Sequence, residues 1–190
     1  MKLLIILSLI FVLSINVKSQ CTYTSPDVIF MADGEGTTYS WHAGLYNLSQ
    51  IGAGGNITTI SFRLNNASTP SETYHNQFIY MRHTSTTDYN GNQSYPGTSG
   101  FTLVWSGTLD IDHSGFYNIT LSTPFNYNGT DILEVLFENK SGYEPLDDLW
   151  FDRTDNSPSV YNGKFGAASY DWSAATNDNT KRNFNLAIGF

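Results

Sequence analysis

Cysteine is nearly missing from this chain: 190 residues contain one, Cys21. No internal disulfide can form, so core packing alone must hold the fold. Lys18-Ser19-Gln20 before Cys21 does not fit a lipoprotein signal, which leaves a near-terminal thiol. Positive charge is scarce too, with 9 Lys+Arg against 17 Asp+Glu and a net charge of -8. Charged residues make up 14%, against ~25% in an average globular domain. A surface so poor in basic residues excludes phosphate-driven nucleic-acid binding and attachment to anionic membranes. Apolar runs at helical spacing do not exceed about two turns, which excludes a helical bundle. Metal motifs of the His-x-x-x-His or Cys-x-x-Cys kind are absent, as is the Gly-x-Ser-x-Gly elbow of serine hydrolases.

What is present begins with an address. Met1-Lys2 is a short positive region, Leu3 to Ile15 is apolar, and Val17-Lys18-Ser19 offers a cleavage site. The apolar run is shorter than the ~20 residues a membrane span needs. Residues 1–19 are therefore read as a signal peptide and 20–190 as a single secreted or cell-surface domain. Removal of Lys2 and Lys18 leaves 7 basic and 17 acidic residues, a net charge of -10.

The rest of the chain alternates in short runs separated by Gly, Asn, Ser, Asp and Pro, the pattern of strands and turns. After Gly55-Asn56, the residues Ile60, Phe62 and Leu64 share one strand face. Phe78, Tyr80 and Arg82 share a face in the next run, with Ile79, Met81 and His83 on the other. Further strands are expected over 101–111, with a bulge at Gly107, over 116–121 before a break at Pro124, and over 132–138. Asn128-Gly129 marks a turn. The last strands fall in 149–153, 159–165 and 184–190, and earlier ones in 28–31 and 39–46. About nine to ten antiparallel strands predict an all-β, two-sheet sandwich. Two polar stretches, 86–100 and 167–182, read as long loops, where function concentrates.

Several runs together carry a resemblance. They are Gly55-Asn56-Ile57-Thr58-Thr59-Ile60-Ser61-Phe62, Ile79-Tyr80-Met81-Arg82-His83-Thr84, Leu103-Val104-Trp105-Ser106-Gly107, and Ile119-Thr120-Leu121 through Pro124-Phe125 to Asn128-Gly129-Thr130-Asp131. In this order they resemble a jelly-roll-like β-sandwich accessory module of large secreted Bacteroidota proteins, where it accompanies peptidase domains and fibronectin type III repeats. The likeness runs from about Gly34 to Phe190. Phe116 stands where the family usually has Trp, read as a conservative core change. Such modules usually sit in longer chains, so this one is either free-standing or a piece of a longer protein. The resemblance implies a non-catalytic role in adhesion or substrate capture and supplies no catalytic residues.

The residues themselves offer the following chemistry. Flat rings in polar loops stack on sugar faces, which makes Trp41, Trp172, Tyr89, Tyr95, Tyr143 and Tyr170 candidate ligand contacts for an extracellular glycan or protein surface. Trp105 and Trp150, in strand-like runs, are read as core. Asp147, Asp148, Asp152 and Asp155 cluster within nine residues. They are candidate oxygen ligands for calcium, or else a solvated acidic rim. Asp110 with Asp112 and Asp33 with Glu35 are shorter acidic pairs. Glu134 and Glu138 share one strand face with Val135 and Phe137 turned to the core. About 13 Å separates the two glutamates along the strand at ~3.3 Å per residue, too far for a glycosidase pair. His83 is read as structural. Seven Asn-x-Ser/Thr sequons occur, at Asn47, Asn56, Asn66, Asn92, Asn118, Asn128 and Asn139. Self-assembly by strand addition along a sheet edge is the competing expectation.

Overall fold

The computed structural model describes residues 37–65, 71–89, 95–142, 153–155, 160–165, 182–184 and 186–190. The leader and the strand expected at 28–31 lie outside them. The described chain is almost entirely antiparallel β. Its elements are β1 (Thr37–Tyr46), α1 (Leu48–Ile51), β2 (Gly55–Leu64), β3 (Glu72–Thr84), β4 (Thr102–Ile111), β5 (Gly115–Tyr127), β6 (Ile132–Asn139), β7 (Arg153–Asp155), β8 (Val160–Phe165), β9 (Arg182–Phe184) and β10 (Ala187–Gly189). A five-stranded sheet runs in the order β4-β3-β6-β1-β8, and a three-stranded sheet in the order β10-β2-β5. β7 and β9 form a separate pair.

The alternation in the sequence decides what lies between the sheets. Ile57, Ile60, Phe62 and Leu64 of β2 meet Tyr117, Ile119, Leu121 and Phe125 of β5, and the two strands turn these residues toward Ile79 and Met81 of β3 and Val135 and Phe137 of β6. Phe62 stacks on Tyr117 with centroids 5.8 Å apart. Most of these side chains are fully buried, and each contributes roughly 1.5–3 kcal/mol by leaving water. Ile60, at 0% exposure, would lose about 2–5 kcal/mol on truncation to Ala. β6 lies between β3 and β1 and is buried from Leu133 to Asn139, on both of its faces.

Local irregularities depart from the plain alternation. The two residues His75 and Asn76 of β3 stand opposite the single Thr108 of β4, so the bulge expected at Gly107 has its extra residue on the partner strand. A second shift sets Val104 between the pairs Ile79–Trp105 and Tyr80–Leu103. Pro124 does not end its strand. β5 continues to Tyr127, with residues 121–124 set against Thr58 alone by a register shift, so the N–H that Pro124 lacks costs no ladder bond to β2. Phe116 is 57% exposed and is therefore not the core substitute expected, because Tyr117 next to it takes the inward position. Trp105 is half-buried against the main core.

Two turns carry tight local chemistry. Asn47 caps the single-turn helix α1 by accepting from the Gln50 amide, while the Gln50 side chain accepts from the Asn47 amide. The Asn128-Gly129 turn links β5 to β6 across the two sheets. The Asn128 side chain accepts from the amides of Thr130 and Asp131, both at 3.0 Å. Gly129 has φ 73 and its Cα lies 3.0 Å from where a Gly54 Cβ would stand, so neither position accepts a side chain. His83 closes the same corner: its Nε2 accepts from the Asn128 amide at 3.1 Å, and its ring packs on Phe125 and Tyr127.

Candidate functional site

The outer face of the five-stranded sheet, turned away from the main core, carries an unusual set of side chains. Register places Phe78, Glu138 and Trp41 side by side across β3, β6 and β1, then Tyr80, Leu136 and Ala43, then Arg82, Glu134 and Leu45. Tyr89, Tyr95 and Phe101, all between β3 and β4 in the chain, pack down onto this face. Trp41, Ala43 and Leu136 become a second buried cluster, with the half-buried rings of Tyr80, Tyr89, Tyr95 and Phe101 packed on top.

Glu134 and Glu138 point outward as the alternation requires, yet they are 0% and 1% exposed. An isolated buried carboxylate is costly, and each of these two has partners. Arg82 Nε donates to Glu134 Oε2 at 2.7 Å and the Tyr89 hydroxyl donates to Oε1. The Tyr95 hydroxyl donates to Glu138 Oε1. Lys140 Nζ lies 2.7 Å from Glu138 Oε2, an ion-pair contact that misses the geometry of a hydrogen bond. Two carboxylates and two cations leave the cluster neutral. Both cations also lie over rings, Arg82 4.2 Å from the Phe101 centroid and Lys140 5.0 Å from that of Phe78. Arg82 Nη1 further donates to the Ser99 carbonyl at 3.3 Å.

The phenols respond to these carboxylates. Burial, then the charge of Glu134 and its hydrogen bond, holds the Tyr89 hydroxyl far above its ordinary pKa, and Arg82 draws it partly back. Burial followed by the hydrogen bond and charge of Glu138 does the same for Tyr95, and burial followed by the Glu138 charge does so for Tyr80. All three stay protonated donors at neutral pH. The Tyr89 and Tyr95 hydroxyls are spent inward, so what these two rings offer outward is ring carbon edged by polar groups. Beneath Tyr95, the Trp41 ring meets it edge-on at 5.6 Å. Trp41 Nε1 is a buried donor with no hydrogen-bond partner among the described residues.

Of the aromatic candidates, Tyr89, Tyr95 and Trp41 thus come together. Trp41 lies inside β1 at 1% exposure rather than beside a loop, because β1 is flanked by β6 and β8 and covered by Tyr95. Tyr143, Tyr170 and Trp172 lie outside the described residues, as do Asp147, Asp148 and Asp152. Asp155 ends β7, where its backbone pairs with Arg182. Asp110 and Asp112 serve separate ends: Asp110 accepts from Thr73 Oγ1 at 2.7 Å, and Asp112 contacts His113 Nδ1 at 2.5 Å. Among the described residues no three His, Cys, Asp or Glu converge as metal ligands.

Glu134, Glu138, Arg82, Lys140, Tyr80 and Phe101 complete the cluster without having been singled out together from the sequence. The signal was present in Ile-Leu-Glu-Val-Leu-Phe-Glu, where two glutamates interrupt a strand apolar enough to be central and so require partners. No protein-family model, curated protein or solved structure matches the chain. Among the described residues no helix is long and apolar enough to cross a membrane.

Proposed function

We propose that the protein is a secreted, non-catalytic binding module, a jelly-roll type β-sandwich that holds an extracellular glycan or protein surface on the outer face of its five-stranded sheet. The observation that carries this reading is the row of half-buried rings, Tyr80, Tyr89, Tyr95 and Phe101, fixed over that face by hydroxyls and cations bound to Glu134 and Glu138. Immobilised rings supply contact area at little further cost in conformational entropy. Three of the four carboxylate oxygens are hydrogen-bonded to Arg82, Tyr89 and Tyr95 and the fourth faces Lys140, which favours recognition over bond cleavage. Tyr143, Tyr170 and Trp172, together with Asp147, Asp148, Asp152 and Asp155, are the remaining candidate contacts, with calcium as the ion the aspartates would take.

A glycan-array screen of the purified protein, run with calcium and then with EDTA, tests this. Specific binding reduced by Tyr95→Ala or Trp172→Ala supports the module. A blank array together with large assemblies on size exclusion supports the other reading, a structural subunit built by strand addition. One observation favours that alternative: β5, thirteen residues long, pairs only with β2 among the described strands.

A further inference from the structure

On the same outer face, at the β3–β4 edge, an open cleft of about 420 Å³ is lined by His75, Asn76, Phe78, Ser106, Gly107 and Thr108. Its size lies within the roughly 300–1,000 Å³ of small-molecule sites. The bulge creates it. Setting His75 and Asn76 against one residue of β4 bends the edge and re-aims the side chains there. Asn76 is held at φ 53, the only positive φ outside glycine among the described residues. Its carbonyl is tied down by the Lys140 amide at 3.0 Å. The Asn76 amide group and the Ser106 hydroxyl have no hydrogen-bond partner among the described residues. Thr108 Oγ1 and His75 Nδ1 are 3.1 Å apart and keep further donor and acceptor capacity. Gly107 adds backbone alone, since a Cβ there would come 2.8 Å from the Trp105 ring. Phe78 forms the apolar wall, held by Tyr80 stacked at 6.4 Å and by Lys140.

Free amide and hydroxyl groups beside one aromatic wall, with no acidic or basic group in the lining apart from His75, match a ligand that alternates C–H and O–H surface. We infer that this cleft seats one uncharged pyranose ring, with hydroxyls bonded to Asn76, Ser106 and Thr108 and a C–H patch against Phe78. The inference rests on the binding-module reading and narrows it to a place and a ligand class.

The test is a two-dimensional amide NMR titration of the purified protein with the methyl glycosides of glucose, galactose, mannose and N-acetylglucosamine at millimolar concentration. Shifts clustered at residues 75–78 and 106–108 are expected with at least one sugar. Asn76→Gly removes the amide group and keeps the positive φ that glycine adopts freely. Ser106→Ala removes an exposed hydroxyl. Each is expected to weaken binding about two- to tenfold, the loss of one hydrogen bond, with an otherwise unchanged spectrum. Absence of shifts at these residues with all four sugars overturns the inference, as does binding that neither variant weakens. Array binding with shifts only near Tyr89 and Tyr95 overturns the cleft and leaves the module reading intact. Shifts in the cleft beside a blank array sustain the cleft and confine the module to weak single-ring capture.

Discussion

Arg82→Met is the most informative perturbation of the outer face. It removes the charge that faces Glu134 and keeps most of the aliphatic stem that packs there. Glu134 is left 0% exposed with one neutral donor, Tyr89. Breaking a buried ion pair on one side costs ~3–5 kcal/mol. Arg82 is 27% exposed and Tyr89 remains, so about 2–4 kcal/mol is the expected loss, including the contact with Phe101. The double change Arg82→Met with Glu134→Leu removes both charges, and an apolar pair of similar volume stands in for a buried ion pair at little or no cost. The double variant is therefore expected to recover at least about 1 kcal/mol relative to Arg82→Met alone, less what the stranded Tyr89 hydroxyl forfeits. Urea denaturation followed by tryptophan fluorescence reads both variants, and thermal melting gives about 2–4 °C per kcal/mol for a domain of this size. Additive or worse destabilisation in the double variant would refute the claim that the buried charge of Glu134 determines the energetics of this face.

Other consequences follow for the same fold. Tyr89 holds its proton in the folded state at a pH where the unfolded chain releases it, so stability is full below pH ~10 and falls by about 1.4 kcal/mol per pH unit above that. Tyr89→Phe should flatten the alkaline limb of a urea midpoint-against-pH plot, and an unchanged slope would sink the assignment. Half-exposed Tyr95 and Tyr80 should contribute less because solvent screens them. Tyr117→Phe strands the amides of Asp112 and His113, which its hydroxyl accepts at 3.0 and 2.9 Å. A loss of about 1–3 kcal/mol is expected by denaturation. The hydrogen bond from His113, ahead of that group's charge, holds the Asp112 carboxyl below its ordinary pKa. A carbon-detected NMR titration should find its midpoint rise once His113→Ala removes the partner.

The sequence was most legible where one rule governs one element. In β2 and β3 the parity of Ile60, Phe62 and Leu64, and of Ile79 and Met81 against Phe78 and Tyr80, told which residues share a face. Parity does not say what covers that face. Glu134 and Glu138 were legible as outward and not as buried, because their burial depends on Tyr89 and Tyr95, some 45 residues earlier in the chain. The same limit explains Trp41, which looks like a loop neighbour until Tyr95 covers it. Phe116 and Tyr117 could be assigned to the core only together with their partner strand. The bulge was visible through Gly107, yet nothing local said that the extra residue would be Asn76. Half of the aromatic candidates, Tyr143, Tyr170 and Trp172, lie outside the described residues.

The tyrosine–glutamate contacts also have a consequence for descent. Each is a unit of two residues contributed by distant parts of the chain, and a change at one end alone leaves either a buried charge short of a donor or a phenol short of its acceptor. Substitutions at 89 and 134, and at 95 and 138, should therefore be inherited in couples. Tyrosines six apart in a polar connection, followed about forty residues later by glutamates four apart in an apolar strand, form a spaced signature of this face. That signature should outlast the surrounding Asn, Ser and Thr, whose exchange costs the fold little, and so mark kinship between chains that have otherwise drifted beyond recognition.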